Sequence, residues 1–221
     1  MSAILLIAVP LLAAFLSILF KKVAPYLLMA VTLFNTVMLF ILPEGFVIIG
    51  GFDQPLGINL LLDTYSRIAL ILVNVLILVI SCLNLKDFNK FASILLLAVA
   101  GLNGLVLTND LFNFFVFLEI SGIAAYLISS SNKKPVSTFH YLVLGAVGSS
   151  LFLFGVIILY AMYGTLNMVG MIQAIQASNN YKEVILPFTL MFIGLGVEAK
   201  LLPFNSWVRG VLGHSNTLSG P

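Results

Sequence analysis

Only 8% of the 221 residues are charged and 61% are hydrophobic, with a formal net charge of +2. A soluble domain carries about a quarter charged residues, so this composition excludes a water-soluble globule and specifies an integral membrane protein. One cysteine, Cys82, and two histidines, His140 and His214, exclude a disulfide framework and a cysteine- or histidine-rich metal cluster.

A spanning helix needs about 20 mostly apolar residues. By that measure there are about seven candidate spans: 3–20, 26–42, 64–83, 91–108, 110–130, 136–162 and a broken one from 184 to about 211. The predicted fold class is all-α, a polytopic transmembrane helix bundle forming a single domain over 1–221. The first span has no positive charge ahead of it, and Lys21-Lys22 follow it, which suits a retained first helix and not a cleaved signal. After the second span, Gly50-Gly51-Phe52-Asp53-Gln54-Pro55 is turn chemistry, and Val47-Ile48-Ile49 and Ile58-Asn59-Leu60 flank it as short strands of an extramembrane hairpin. Thr108 or Asn109 can cap the fifth span, and Asp110 suits its positively polarised start. Between the sixth and seventh spans, 164–175 places Met168, Met171 or Ile172, and Ile175 on one face, too short to cross and read as an interfacial helix.

Lys21, Lys22, Lys86, Lys90, Lys133, Lys134 and Arg209 all fall on one side of this plan, whereas Glu44, Asp53, Asp63 and Asp110 fall on the other with Arg67 and Lys182. The positive-inside rule makes the first side cytoplasmic, in a cell membrane with the N-terminus outside and the C-terminus inside.

The chemistry is expected from the few buried charges. A Lys, Glu or Asp at the bilayer centre costs roughly 2.5–3.5 kcal/mol on insertion scales, so such residues mark ion or proton routes or paired contacts. Lys200 stands three residues before Pro203, which has no N–H for the Ala199 carbonyl and crowds it, predicting a discontinuous seventh span near Lys200–Pro203. The alternative is a helix that stops there, with Lys200 snorkelling to the interface. Glu119 lies nine residues past Asp110, about 14 Å along a helix, near the midplane, with Asn113 and Tyr126 at helical spacings around it. Burial and mutual attraction act oppositely on the protonation of an acid–amine pair, the competition a proton relay uses. A packing ion pair that only orients two helices is the other reading. Glu198, two residues from Lys200, points to a different helix face and is either on the route or at a subunit contact. His140 is a proton-shuttle candidate by its near-neutral titration, or an ordinary interfacial residue. Gly145, Gly148, Ser149 and Gly155 let helices approach closely. No nucleotide, metal or nucleophile-triad motif occurs, so no cofactor and no nucleic-acid partner are expected.

Three segments carry a resemblance: Asn109-Asp-Leu-Phe-Asn-Phe-Phe-Val-Phe-Leu-Glu119 with Tyr126, Tyr141-Leu-Val-Leu-Gly-Ala-Val-Gly-Ser149 leading to Gly164, and Gly196-Val-Glu-Ala-Lys-Leu-Leu-Pro-Phe-Asn-Ser-Trp207. With these the chain resembles the antiporter-like membrane subunits shared by respiratory complex I, multi-subunit cation/proton antiporters and membrane-bound hydrogenases. The resemblance implies that Glu119 and Lys200 take part in proton movement and that the lysine helix is discontinuous. It also implies partners among other membrane subunits, antiporter-like ones included, within the lipid bilayer. Where the family commonly has His after Pro-Phe and Leu-Pro-Asp after Trp, this chain has Asn205 and Val208-Arg209-Gly210. It matches only the first of the family's two inverted halves, so a neighbouring chain is expected to complete the route. The expected function is that of a non-catalytic subunit of a redox-driven ion-translocating complex, giving a proton or sodium-coupled half-channel. The alternatives are a non-conducting structural spacer and a subunit of a cation/proton antiporter without redox chemistry.

Overall fold

The computed structural model describes residues 2–51, 57–83, 91–130, 135–178 and 180–201. In chain order these form α1 (Leu5–Leu19), α2 (Ala24–Ile41), β1 (Gly45–Ile49), β2 (Ile58–Leu62), α3 (Thr64–Leu83), α4 (Ala92–Leu107), α5 (Leu111–Ser130), α6 (Pro135–Tyr163), α7 (Met168–Ser178) and α8 (Ile185–Glu198). Among the described residues four helices, within α2, α3, α5 and α6, are long and apolar enough to cross a membrane, and α1, α4 and α8 are shorter apolar helices. The protein is membrane-spanning. The described residues fall into two compact units, one through Asn109 and one from Asp110 onward.

In the first unit, small residues set the packing. Ala13 and Ala14 of α1, Ala24, Leu28 and Val31 of α2, and Ala92, Leu96 and Val99 of α4 form one buried cluster. Through it and α3 runs a polar chain. Asn35, Asn74 and Asn103 are each fully buried, where an unpaired amide is costly. The Asn35 amide donates to Asn74 Oδ1 at 3.1 Å, the Asn74 amide to Asn103 Oδ1 at 3.0 Å and to the Leu70 carbonyl at 2.8 Å. The last link explains itself from the sequence. Pro10 inside α1 has no N–H for the carbonyl four residues back, Leu6, and the Asn103 amide donates to that carbonyl at 2.8 Å. Four helices are thereby joined by neutral hydrogen bonds.

The hairpin pairs as expected from its flanks: β1 and β2 are antiparallel with Ile49 opposite Ile58 and Gly45 opposite Leu62. Gly50 and Gly51 carry φ of 84° and 72°, the left-handed region glycine adopts freely. Thr108 and Asn109, the residues just ahead of α5, join this ribbon. Thr108 bridges Leu60, and the Asn109 N–H donates to the Asn59 carbonyl at 2.9 Å.

The second unit therefore opens on Asp110, whose Oδ1 accepts the Asn113 N–H at 2.8 Å and caps α5. Burial raises the Asp110 carboxyl above its ordinary value, against the lowering by the Asn113 and Phe112 backbone N–H groups. A raised carboxyl contributes most to stability below its unfolded pKa and loses that contribution as pH rises through the folded value. Asp110→Asn keeps an acceptor for the cap but cannot ionise. Its stability relative to the parent is expected to grow from acid to neutral pH, measured by denaturant unfolding in detergent. Asp110→Ala loses the cap, at about 1 kcal/mol.

The loop before α7 is tied by the bridge of Asp110 with Asn167 and by the Leu111 N–H on the Leu166 carbonyl at 2.9 Å. In α7 Met171 and Ile175 are buried and Ile172 is 55% exposed, which settles which of Met171 and Ile172 faces inward. They join Phe152, Val156 and Leu159 of α6 and Met191 of α8 in the unit's core, with Phe114 and Phe115 of α5 against it. The α6 and α8 backbones nearly touch through glycine. A Cβ on Gly148 would lie 3.1 Å from the Gly194 carbonyl oxygen, and one on Gly155 2.6 Å from the Pro187 carbonyl oxygen. This is the small-residue packing expected where lipid gives no hydrophobic drive for helix association.

Candidate functional site

Close α6–α8 packing carries Glu198, in the last turn of α8, across to α5 and α6. Tyr126 of α5 donates its hydroxyl to Glu198 Oε1 at 3.3 Å. The Tyr126 and Tyr141 rings meet edge to face, with centroids 4.5 Å apart and an interplanar angle of 85°. The Lys200 ammonium stands over the face of the Tyr141 ring, 5.3 Å from its centroid, within cation–π range. Gly145, one turn along α6 from Tyr141, leaves the space: a Cβ there would collide with the Tyr126 hydroxyl and come within 2.9 Å of Glu198 Oε1.

The amine reaches this place because α8 ends where it does. Gly194, Gly196 and β-branched Val197 give its last turns low helix propensity. The chain then closes with the Lys200 N–H on the Val197 carbonyl at 3.2 Å and the Leu201 N–H on the Gly196 carbonyl at 2.9 Å. These are the paired bonds of a Schellman motif, with Lys200 in its left-handed position at φ 58°. Glycine usually holds that position. For a lysine the conformation costs of order 1–3 kcal/mol and persists only where its surroundings hold it. The cation–π contact is one such hold.

α8 thus ends at Glu198 with a left-handed turn at Lys200, at the start of the Lys200–Pro203 stretch where an interruption was expected; Pro203 itself and any resumption of helix through Trp207 lie outside the described residues. Glu198 and Lys200 meet different members of the Tyr126–Tyr141 pair, and Lys200, in its left-handed turn, lies past the helix to which the spacing rule applies. Glu119 is half-buried in mid-α5 and lies within electrostatic range of Tyr126 and Glu198. Among the described residues, neither Glu119 nor Glu198 forms an ion pair with Lys200. His140 is exposed on α6, one residue before Tyr141.

In the sequence Gly145 was visible as a packing residue and Tyr141 only as the first residue of a segment carrying the resemblance. Their four-residue spacing puts them on one helix face, a signal that a tyrosine's ring and an open space lie together. A carboxylate held by a phenol, an ammonium held by a ring, and a second carboxylate nearby make a cluster of exchangeable protons and charge without a closed ion pair.

The acid–amine cluster, with Glu198 half-buried and Lys200 exposed, sits where the end of α8 meets two spanning helices, α5 and α6. The chain belongs to the family described as "NADH:quinone oxidoreductase/Mrp antiporter, TM", which matches residues 108–219. It is 35% identical over 170 residues to NADH-quinone oxidoreductase subunit N of Desulforudis audaxviator, covering 72% of this chain and 34% of that protein. It is 32% identical over 174 residues to a component of a probable K(+)/H(+) antiporter of Rhizobium meliloti, covering 75% and 32%. Among solved structures it is similar to a chain of the membrane-bound sulfane sulfur reductase, an archaeal respiratory membrane complex. That match has a TM-score of 0.87 and 32% identity, over 96% of this chain and 48% of the other. The fold is also that of a chain of the Mrp complex from Dietzia sp., at 23% identity and a TM-score of 0.85 over 98% of this chain and 44% of that one. This chain thus spans about a third of the curated relatives' length and about half that of the solved chains.

Proposed function

We propose that this chain is an antiporter-like membrane subunit of a multi-subunit, redox-driven complex, where it contributes a proton or sodium-coupled half-channel. The observation that carries this reading is the Lys200 ammonium held over Tyr141 beside Glu198, with no carboxylate among the described residues closed onto it. In an apolar setting a charge so placed is a route residue before it is a structural one. The similarity to a chain of a respiratory membrane complex, at 32% identity, supports the redox-driven setting. Glu119 and Glu198 serve as the two acids on the route and Lys200 as its amine. His140 lies at the cytoplasmic end of α6, where it takes or gives protons at the surface. The protein sits in the cell membrane with its N-terminus outside and C-terminus in the cytoplasm, on the distribution of its lysines and arginines. Its partners are the other membrane subunits of that complex.

The test is transport by assembled complex in native membrane vesicles. Glu198→Gln, isosteric but unable to ionise, is expected to slow ion uptake at least roughly tenfold, the equivalent of one pKa unit of lost interaction. Glu119→Gln is expected to slow it as well. Parental rates in both variants would leave the chain a spacer between other subunits.

A further inference from the structure

We propose that Tyr141 and Tyr126 are positioning residues that act as a spacer, holding the Glu198 carboxylate and the Lys200 ammonium at one locus while keeping them from closing into an ion pair. This rests on the reading of those two charges as route residues. Glu198 and Lys200 are two residues apart in the chain, with Lys200 in the left-handed turn, and yet form no ion pair with each other. Each is occupied by an aromatic partner instead. The carboxylate takes the Tyr126 hydroxyl at 3.3 Å, and the ammonium takes the Tyr141 ring at 5.3 Å. The two rings lock each other edge to face at 4.5 Å, so neither can swing aside alone.

The physical reason for a spacer is strength. A closed ion pair adds direct attraction between the two charges, and an amine caught in it exchanges its proton slowly. An ammonium over a ring face is held more weakly and stays able to leave. Gly145 belongs to the device: a side chain there would drive the Tyr126 hydroxyl off Glu198. Among the described residues, the charged and titratable groups facing the site are Glu119 and Tyr126 from α5, Tyr141 from α6 with exposed His140 beside it, and Glu198 and Lys200 at the end of α8. From Met168 to Ser178, α7 carries no ionisable side chain.

The experiment compares ion uptake across a pH series in native vesicles, each variant normalised to assembled complex. Tyr141→Leu is expected to slow uptake roughly tenfold and to displace the pH profile by about one unit, as a newly closed ion pair would. Tyr141→Phe, which keeps the ring face, is expected to restore the rate and profile that leucine loses. Gly145→Ala reads the device from its other side and decides the matter where Tyr141→Leu does not assemble; it is expected to slow uptake and displace the profile likewise. Parental rates and profiles in both Tyr141→Leu and Gly145→Ala would overturn the spacer, as would equal damage from phenylalanine and leucine. Lys200→Ala separates the two levels. If it abolishes uptake while Tyr141→Leu changes nothing, only the spacer falls; if it leaves uptake intact, the conduction reading falls and takes the spacer with it.

Discussion

Asn103→Leu is expected to destabilise the first unit by about 1–3 kcal/mol, because it removes the acceptor of the Asn74 amide and the donor to the Leu6 carbonyl. Interhelical hydrogen bonds in membranes average only about 0.6 kcal/mol, since the membrane-inserted unfolded state finds other partners. The expectation stands above that average for a reason of geometry. Pro10 has left the Leu6 carbonyl with no helical donor, so the loss is of its replacement partner and not of an extra bond. The check is a double-mutant cycle in detergent unfolding. Pro10→Ala restores the N–H, and in that background Asn103→Leu is expected to cost about 1 kcal/mol less. Equal costs in both backgrounds would show that the asparagine does not serve the proline's orphan.

Gly194→Ala is the second large effect. Its added methyl would run into the Gly148 carbonyl oxygen and lie 2.7 Å from the Phe152 backbone nitrogen. Both belong to the α6 backbone, which cannot step aside as the end of a flexible side chain can. The helices must separate, at about 1–3 kcal/mol of overpacking. The effect should propagate, because Glu198 is one turn further along α8 and reaches Tyr126 only while the helices stay close. Gly122→Ala is the matched control. Its methyl would meet the Tyr126 ring hydroxyl at 3.5 Å, an ordinary contact, and alanine's better helix propensity should leave it neutral or up to about 1 kcal/mol stabilising. Thermal unfolding of the two variants checks both; similar shifts in melting temperature would deny the close α6–α8 approach.

How much was legible in the sequence differs by kind of signal. Hydrophobic length pointed to about seven spans, of which four described helices are long enough to cross and α1, α4 and α8 are shorter, and the hairpin followed from Gly-Asp-Pro between β-branched runs. The short α7 followed from a stripe of Met and Ile too short to cross. Faces were not legible, because a lipid-exposed side is as apolar as a packed one, so periodicity cannot tell them apart. That is why Asn35, Asn74 and Asn103 passed unnoticed although each stands in a greasy helix. A mid-span proline with an unassigned carbonyl behind it was the available signal for Asn103.

At the site, buried charge in an apolar chain singled out Glu119, Glu198 and Lys200. Their grouping was hidden by a backbone event. Left-handed geometry at a lysine has no composition signal, since the residue that usually marks it is glycine. Pro203 drew attention to the right region while the turn itself sits three residues earlier, at Lys200. Once that turn is known, Glu198 becomes the acid beside the lysine, and Tyr141 the ring beneath its ammonium.

The most direct measurement of the conduction claim is ion uptake by vesicles holding Lys200→Ala complex at parental abundance. Alanine leaves the α8 end its backbone bonds but removes the ammonium from Tyr141. Loss of uptake, with electron transfer or the imposed gradient still running, is the expected result. Uptake at the parental rate would contradict the account and leave the acid–amine cluster a packing feature.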